Sequence, residues 1–586
     1  MAQKLKPVDA LIVGFGWTGS LMARELCDAG LSVVALERGG MKTAESFFDP
    51  RSHDELKYSR QFDLMQDLSK ETVTFRNNGS QEALPMRQHG SFTIGEGVGG
   101  SGLHWGGVLW RWMPWDHEPR RHIAERYGAS VIPKDMHLQD WGVTYGDLEP
   151  HYDRFEKMCA TSGKAGNLGG VRAVGGNPFE GARSSEYPNP PLTMSNAGEL
   201  FMSGARKLGL NPFPAPAANA SQSFVNPDGI VFGQCRYCGF CENYGCESGA
   251  KAEPQHTVLP LLQKKKNFEL RTHARVLKIN LDSEKRRATS VLYMDAQGRE
   301  FEQPAEMIML ASYVLSNVHL MLLSGIGKPY NPATGEGVVG RSYSYQVRSG
   351  ATVFTDESQP LNPFMGTGAL QAVLDDYYPH VYDSLKHGFI GGGTIQCATN
   401  GGRPIEFRPT PPGTPPWGTE WKRGMVRAYH HTMGIRNQST GMSYRANYLD
   451  LDPKYRDAFG RPMLRMTYNF QPNEIALAEH FADLCVKIGE AIGGTKVVRQ
   501  GPSKNYSIVP YQSTHNCGGA IMGTDPKTSA VNRYLQSWDV HNLFVLGASA
   551  FPQSAGKNPT GPVAATTLWA AEAIKSQYLK SPAMMS

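Results

Sequence analysis

Apolar positions in this chain fall into short blocks punctuated by glycine. Val8 to Val13 is an apolar, β-rich run; Gly14, Gly16 and Gly19 follow, a helical pattern continues to Gly30, and Ser32 to Leu36 is a second apolar run ending on Glu37. That order predicts strand, glycine turn, helix and parallel strand, joined as a right-handed βαβ unit. Farther on, Phe268 to Leu281 predicts a strand pair, and Glu306 to Leu323 a strand running into a helix. Leu543 to Leu546 predicts a short strand, followed by a glycine-bearing turn and a final helix from about Pro562 to Tyr578. Strand–turn–helix patterns at both ends predict that the termini meet in one domain. Between about 160 and 230 the chain is dense in Gly, Pro and Asn, and PTPPGTPPW fills 409–417. Both stretches predict long surface loops.

The chain has 586 residues, more than one core normally serves, so two or more joined domains are expected. A hydrophobic fraction of 40% is that of a globular protein. A net charge of +5 with no long run of one sign argues against nucleic acid as a partner. No run of apolar residues is long enough to span a bilayer, so membrane attachment is expected only through partners. The opening MAQKLKPVDALIVGFG turns at once into a strand and glycine loop, which predicts no export signal on this chain.

In Gly14-Phe15-Gly16-Trp17-Thr18-Gly19 the first glycine permits a tight turn, the second lets backbone approach a pyrophosphate, and the third lets helix and strand pack closely. Glu37, at the end of the second strand, stands where a carboxylate can accept hydrogen bonds from ribose hydroxyls. The fingerprint alone fits FAD or NAD equally.

Residues 95–111, GEGVGGSGLHWGGVLWR, discriminate between them. Here the chain resembles the glucose–methanol–choline flavoenzyme family, whose second signature is a Gly-Gly-Ser loop, here Gly99, Gly100 and Ser101, that wraps the flavin ring. The resemblance implies FAD. Leu103-His104-Trp105 looks most like the pyranose-oxidising version, in which the histidine is bonded covalently to the flavin; the alternative is a packed histidine that merely touches it. STHNCGGAIMG, 513–523, resembles the family's penultimate motif and puts His515 on its catalytic histidine. Gly547-Ala548-Ser549 and Gly556-Lys557-Asn558-Pro559-Thr560 resemble the closing motif, with Asn558 as the second catalytic residue. Gly547 stands where many members have aspartate. The resemblance also brings Val276 into the cofactor-binding set.

Of nine cysteines, Cys27, Cys159, Cys397, Cys485 and Cys517 are scattered and read as core filler, whereas Cys235, Cys238, Cys241 and Cys246 make C-x2-C-x2-C-x4-C. Overlapping C-x2-C steps resemble ferredoxin loops. Disulfides and zinc are the alternatives. No C-x-x-C-H occurs, so the chain attaches no c-type haem itself.

Likeness runs along nearly the whole chain, through KETVTFR at 70, LMLLSGIGKPYNPATGEGVVG at 320, NYLDLDPKYRDAFG at 447 and AIMGTDPKTSAVNRYLQSWDVHNLFV at 520. It points to the branch formed by flavoprotein subunits of membrane-associated bacterial sugar and sugar-acid dehydrogenases. That resemblance implies an α/β fold: a Rossmann-like FAD-binding domain from 1–150, 255–335 and 505–586, a loop-rich segment 151–254 carrying the cysteines, and a substrate-binding domain 336–504 with a mixed or antiparallel sheet. It further implies oxidation of gluconate at C2, with His515 taking the hydroxyl proton, hydride passing to flavin and Asn558 holding the developing ketone. Electrons would then pass through a three-iron (3Fe-4S) cluster on the four cysteines. The implied partners are a small subunit carrying the export signal and a multihaem cytochrome c subunit, at the periplasmic face of the inner membrane. The same architecture acting on 2-ketogluconate, sorbitol, fructose or glucose is the alternative, and an oxygen-using oxidase a more distant one.

Overall fold

The computed structural model describes residues 2–43, 47, 61–87, 92–363, 365–366, 371–398, 409–510 and 513–585. Val8–Val13 and Val33–Leu36 are parallel neighbours, linked by the helix Trp17–Asp28. Phe268–Arg271 extends that sheet beyond Val33–Leu36, and the second half of Glu300–Leu310 lies on the other side of Val8–Val13. Leu543–Val545 pairs in parallel with the same long strand, so the two ends of the chain do meet in one sheet. The first half of Glu300–Leu310 leaves the parallel layer and pairs antiparallel with Ala288–Met294, which pairs with Arg275–Leu281. The two strands predicted within Phe268 to Leu281 therefore exist but do not pair with each other. His273, at φ +53°, sits in the tight link that sends them to opposite edges.

A second, antiparallel sheet runs in the order Lys496–Gln500, Gly350–Phe354, Thr432–Ser439, Gly393–Ala398, Ala372–Leu374, Phe213–Pro214. One face carries Ala351, Val353, Ile395, Cys397, Met433 and Ile435, packed with residues of the helices Asn196–Lys207 and Pro472–Ile492 in a separate apolar core. Alternation in a strand sends every second side chain to the other face. Gln396, Arg436 and Gln438 occupy that other face.

The expectation of loops throughout 160–230 needs correction at Asn196–Lys207. Ser195 caps this helix by accepting from Gly198 N (3.4 Å), and Ala197, Phe201 and Ala205 make its buried stripe at helical spacing. The proline run at 409–417 is without regular structure, as predicted, and leads into the helix Gly418–Tyr429.

Candidate active site

A long cleft runs from the glycine turn of the first sheet to the polar face of the second. Gly14, Gly16, Glu37, Gly100, Ser101, His104, Trp105, Val276, His515, Gly547, Ala548 and Asn558 all line it. Gly14 has φ +94°, and a Cβ there would meet the Ala311 carbonyl at 2.6 Å. A Cβ on Gly16 would meet nothing nearer than 3.7 Å, so that position is open toward the cleft.

Three of the predicted residues act from behind the wall. Gly19 lets the helix lie on the strand, since a Cβ there would fall 2.0 Å from the Gly14 carbonyl. Gly99 N donates to Phe15 O (2.8 Å), locking the two glycine loops together. Ser549 Oγ accepts from Asn317 Nδ2 (3.0 Å), whose amide also donates to Leu546 O (2.9 Å), so the closing turn is fastened to the helix Val314–Ser324. Glu37 is buried, with one carboxylate oxygen accepting from Phe15 N and the other from Gly39 N, each at 2.9 Å. Each oxygen keeps a second lone pair for a ribose hydroxyl. The bare glycine backbone, the helix N-terminus beside it and the acid at the strand end fit FAD.

At the other end, Asn558 Nδ2 donates to His515 Nε2 (3.1 Å), and His515 Nδ1 donates to Gln346 Oε1 (2.9 Å). Gln346 is buried, and its own amide donates to Ala555 O (2.8 Å), which fixes which end of the glutamine faces the ring. The consequence is a single tautomer: the proton sits on Nδ1 and the lone pair of Nε2 points at Asn558. Burial, with Arg348 adding to it, holds the imidazole well below its ordinary pKa, so the ring is neutral and able to accept a proton.

Tyrosines hold the segment that carries His515. Tyr313 OH donates to Thr514 O (3.2 Å) and accepts from Asn516 Nδ2; Tyr343 OH donates to Asn516 Oδ1; Tyr345 OH donates to Ser513 O (2.7 Å). Tyr313 adopts φ +78°, ψ 160°, a region costly for any side chain, where the strand Glu300–Leu310 turns into its helix. Asn558 is held by Trp112 Nε1 donating to its carbonyl (3.1 Å), and next to it Lys557 is fully buried in an ion pair with Asp375 (2.6 Å).

The cysteine segment lies outside the cleft lining, but its Glu242 reaches it, and Asn243 N donates to His104 O (2.7 Å). The fully buried Lys251 ties the two together: its ammonium donates to Leu103 O (3.3 Å) and Trp105 O (2.9 Å) on either side of His104, and to Cys241 O (3.1 Å) and Tyr244 O (2.7 Å). Glu253, 3.2 Å away, is its counter-ion. None of the four cysteines is in a disulfide. Burial pushes the Cys235 thiol up to about 11, with Cys238 and Cys246 near enough to raise it further, and Cys246 likewise raises Cys238. Cys241 Sγ instead accepts from Asn219 Nδ2 (3.6 Å). Among the described residues no three His, Cys, Asp or Glu side chains converge to hold a metal ion. The arrangement as it stands is no closed metal site.

Sequence reasoning missed Gln346, Tyr313, Lys251, Arg348 and the polar sheet residues Gln396, Arg436 and Gln438; Arg348 and those three sheet residues line the cleft. The one sequence signal for the last three is polar alternation against Ile395, Cys397, Met433 and Ile435.

GMC oxidoreductase family models match residues 190–344 and 443–567. The gluconate 2-dehydrogenase flavoprotein of Pantoea cypripedii is 47% identical over 99% of this chain and 96% of its own. The fructose dehydrogenase large subunit of Gluconobacter japonicus is 24% identical over 98% of this chain and 99% of its own. Among solved structures, the pyridoxine 4-oxidase of Mesorbium loti has a TM-score of 0.56 at 17% identity, covering 98% of this chain and 99% of that one, and shares its fold. The cleft, the neutral histidine at its floor and this likeness along the whole chain have one reading: the chain belongs to the GMC oxidoreductase family and is an FAD-dependent oxidoreductase acting on CH–OH groups.

Proposed function

We propose that this chain is the flavoprotein subunit of a sugar-acid dehydrogenase and oxidises the C2 hydroxyl of gluconate to the ketone. The observation that carries the reading is the 3.1 Å pairing of His515 Nε2 with Asn558 Nδ2 at the floor of the cleft. A substrate hydroxyl entering between them meets an acceptor and a donor at once. Nε2 accepts the hydroxyl proton, and Asn558 Nδ2 donates to the oxygen as it becomes a carbonyl. FAD, when bound, supplies the two-electron acceptor for the hydride that leaves the carbinol carbon. The kinship with the Pantoea gluconate 2-dehydrogenase flavoprotein supports the substrate.

His104 is the proposed point of covalent flavin attachment, supported by its place in the cleft wall. Acid-precipitated protein should then stay yellow. Cys235, Cys238, Cys241 and Cys246 are the proposed ligands of an iron–sulfur cluster, a one-electron carrier, supported by their C-x2-C-x2-C-x4-C spacing. Iron and acid-labile sulfide in the purified protein test this, and zinc without sulfide refutes it. The described residues contain no helix long and apolar enough to cross a membrane. A small exporting subunit and a multihaem cytochrome c at the periplasmic face of the inner membrane complete the proposal, supported by the same kinship. A dye-linked substrate screen of the purified protein tests the activity: gluconate should be the preferred substrate. Steady turnover with oxygen alone, or preference for a neutral sugar, overturns it.

A further inference from the structure

Two carboxyl groups, Asp116 and Asp375, are buried behind the loop that carries Asn558, and both face the Lys557 ammonium. They share it unequally. Asp375 Oδ2 takes the ammonium at 2.6 Å and the Asn177 amide at 2.6 Å, while its Oδ1 accepts from Thr394 Oγ1 (2.7 Å). Asp116 is met by neutral donors instead: Met113 N donates to Oδ2 (2.8 Å), and Tyr378 OH donates to Oδ2 (2.8 Å) and lies 3.0 Å from Oδ1. Burial, with Asp375 adding to it, pushes the Asp116 carboxyl up to about 7. The other titratable groups around the cluster leave that balance in place. His117 beside it, and His380 facing Asp375 and Lys557, are held neutral by burial, and the Tyr152 phenol is pushed above its ordinary range.

Two restraints on Asn558 begin at Asp116. One runs through Met113 to Trp112, whose Nε1 donates to the Asn558 carbonyl (3.1 Å). The other runs through Tyr378. Its ring faces the Lys557 ammonium at 5.0 Å, and a Cβ on Gly556 would stand 3.3 Å from its Cε2, so the phenol backs the two residues that precede Asn558. Gln553 Nε2 donates to Asp116 O (2.8 Å), which ties the chain just ahead of that loop to the same residue. Asp116, Trp112 and Tyr378 stand behind the cleft lining and act through Asn558 without reaching the substrate.

We propose that Asp116 is a positioning residue for Asn558 and works as the neutral acid, holding Trp112 and Tyr378 against the loop while leaving the Lys557 ammonium to Asp375. Ionised, Asp116 competes with Asp375 for that ammonium, and Lys557 is the residue next to Asn558. The proposal rests on the reading of Asn558 as the donor to the substrate oxygen.

The test follows flavin reduction in purified holoprotein, with D-gluconate, D-fructose and sorbitol each offered and the fastest used. At about pH 6, Tyr378→Phe keeps the ring but cuts one restraint and should slow reduction by about 5- to 10-fold. Asp116→Ala cuts both and should slow it by about 25- to 100-fold, the two losses multiplied, with KM and flavin content little changed. Asp116→Asn should stay near the wild-type rate, because an amide oxygen in place of Oδ2 accepts from Met113 N and Tyr378 OH and the NH2 stands in for the carboxyl proton. Raising the pH through about 7 should slow the wild type and leave Asp116→Asn unaffected. A second readout needs no substrate. The folded protein holds the Asp116 proton more tightly than the unfolded chain, so wild-type melting temperature should fall relative to Asp116→Asn as pH rises toward about 7, and level off above it. Added to Asn558→Ala, Tyr378→Phe should cost nothing further, since both act on one contact. Asp116→Asn as slow as Asp116→Ala, parallel pH dependences in wild type and Asp116→Asn, or full additivity of Tyr378→Phe with Asn558→Ala each overturn the proposal. Asn558→Ala at the wild-type rate is a different failure, that of the reading of Asn558 itself. Should Asp116→Ala not fold, Asp116→Asn and Tyr378→Phe decide the matter.

Discussion

Replacing Gln346 with leucine tests how the histidine is made into a base. In the native protein Gln346 Oε1 accepts the Nδ1 proton at 2.9 Å, and the amide end is pinned to Ala555 O at 2.8 Å. Leucine leaves Nδ1–H buried with no acceptor, at a cost of about 1–3 kcal/mol. The ring then favours the other tautomer, with its proton on Nε2, where the substrate hydroxyl needs a lone pair. Converted through RT, that penalty lowers the population of the competent tautomer, and with it kcat/KM, by about 5- to 150-fold. Gln346 does not line the cleft, so flavin content should be unchanged. Glutamate in the same place makes a different prediction. Its carboxylate favours the imidazolium, so the acid limb of the pH–rate profile should move upward, whereas burial keeps the wild-type limb below the ordinary histidine value of about 6.5. Stopped-flow flavin reduction across pH reads both effects. A leucine variant with wild-type reduction rates, or a glutamate variant whose acid limb does not rise, refutes the assignment of Gln346 as the residue that positions the base.

Gly14→Ala puts a Cβ 2.6 Å from the Ala311 carbonyl at φ +94°, and the purified protein should carry little or no flavin by absorbance. Tyr313→Phe removes the donor to Thr514 O and the acceptor for Asn516 while keeping the ring, and should slow flavin reduction by about 5- to 10-fold per lost hydrogen bond, with KM little changed. An equal fall in flavin content would mean that Tyr313 serves the fold instead. Lys251→Met strands Glu253 and four carbonyls and should destabilise the protein by about 3–5 kcal/mol. Burial already lifts the Glu253 carboxyl to about 7 against the pull of Lys251, so without the ammonium it takes up a proton more readily. The loss of melting temperature should therefore be smaller below neutrality than above it, and a pH-independent loss contradicts this.

Much of the first sheet was legible because its information is local. Val8–Val13, the glycine turn and Val33–Leu36 lie within a few dozen residues, and Gly14 and Gly19 are each required by a backbone contact that any such turn makes. His515 and Asn558 were legible as motif positions. Gln346 was not, because it stands in an irregular stretch ahead of Gly350–Phe354 and acquires meaning only when the chain brings His515 to it from far along the sequence. Gln396 and Arg436 come together on one face only once Gly393–Ala398 and Thr432–Ser439 are paired in register. Alternation within one strand shows which residues go together, but not which of the two faces meets a core. Lys251 is one of 59 basic residues, and nothing in its neighbourhood marks it as one that is fully buried.

Two buried ammonium groups sit directly behind the loops proposed to carry the chemistry, and that placement needs a reason, since burying a charge is expensive even when it is paired. Lys557 precedes Asn558 and is locked between Asp375 and the faces of Trp110 and Tyr378. Lys251 collects the carbonyls on both sides of His104 and those of the cysteine segment. In each case the segment being held is rich in glycine or irregular and offers few side chains to pack. An apolar residue of the same volume would bury as much surface but could not choose among backbone arrangements. An ammonium with fixed acceptors can, because any shift of those carbonyls leaves the charge unsatisfied. The cost in stability is thereby converted into a single geometry for Asn558 against His515, and for His104 against the cysteine segment, which on the proposed function are the two places where an error of about an ångström would matter most.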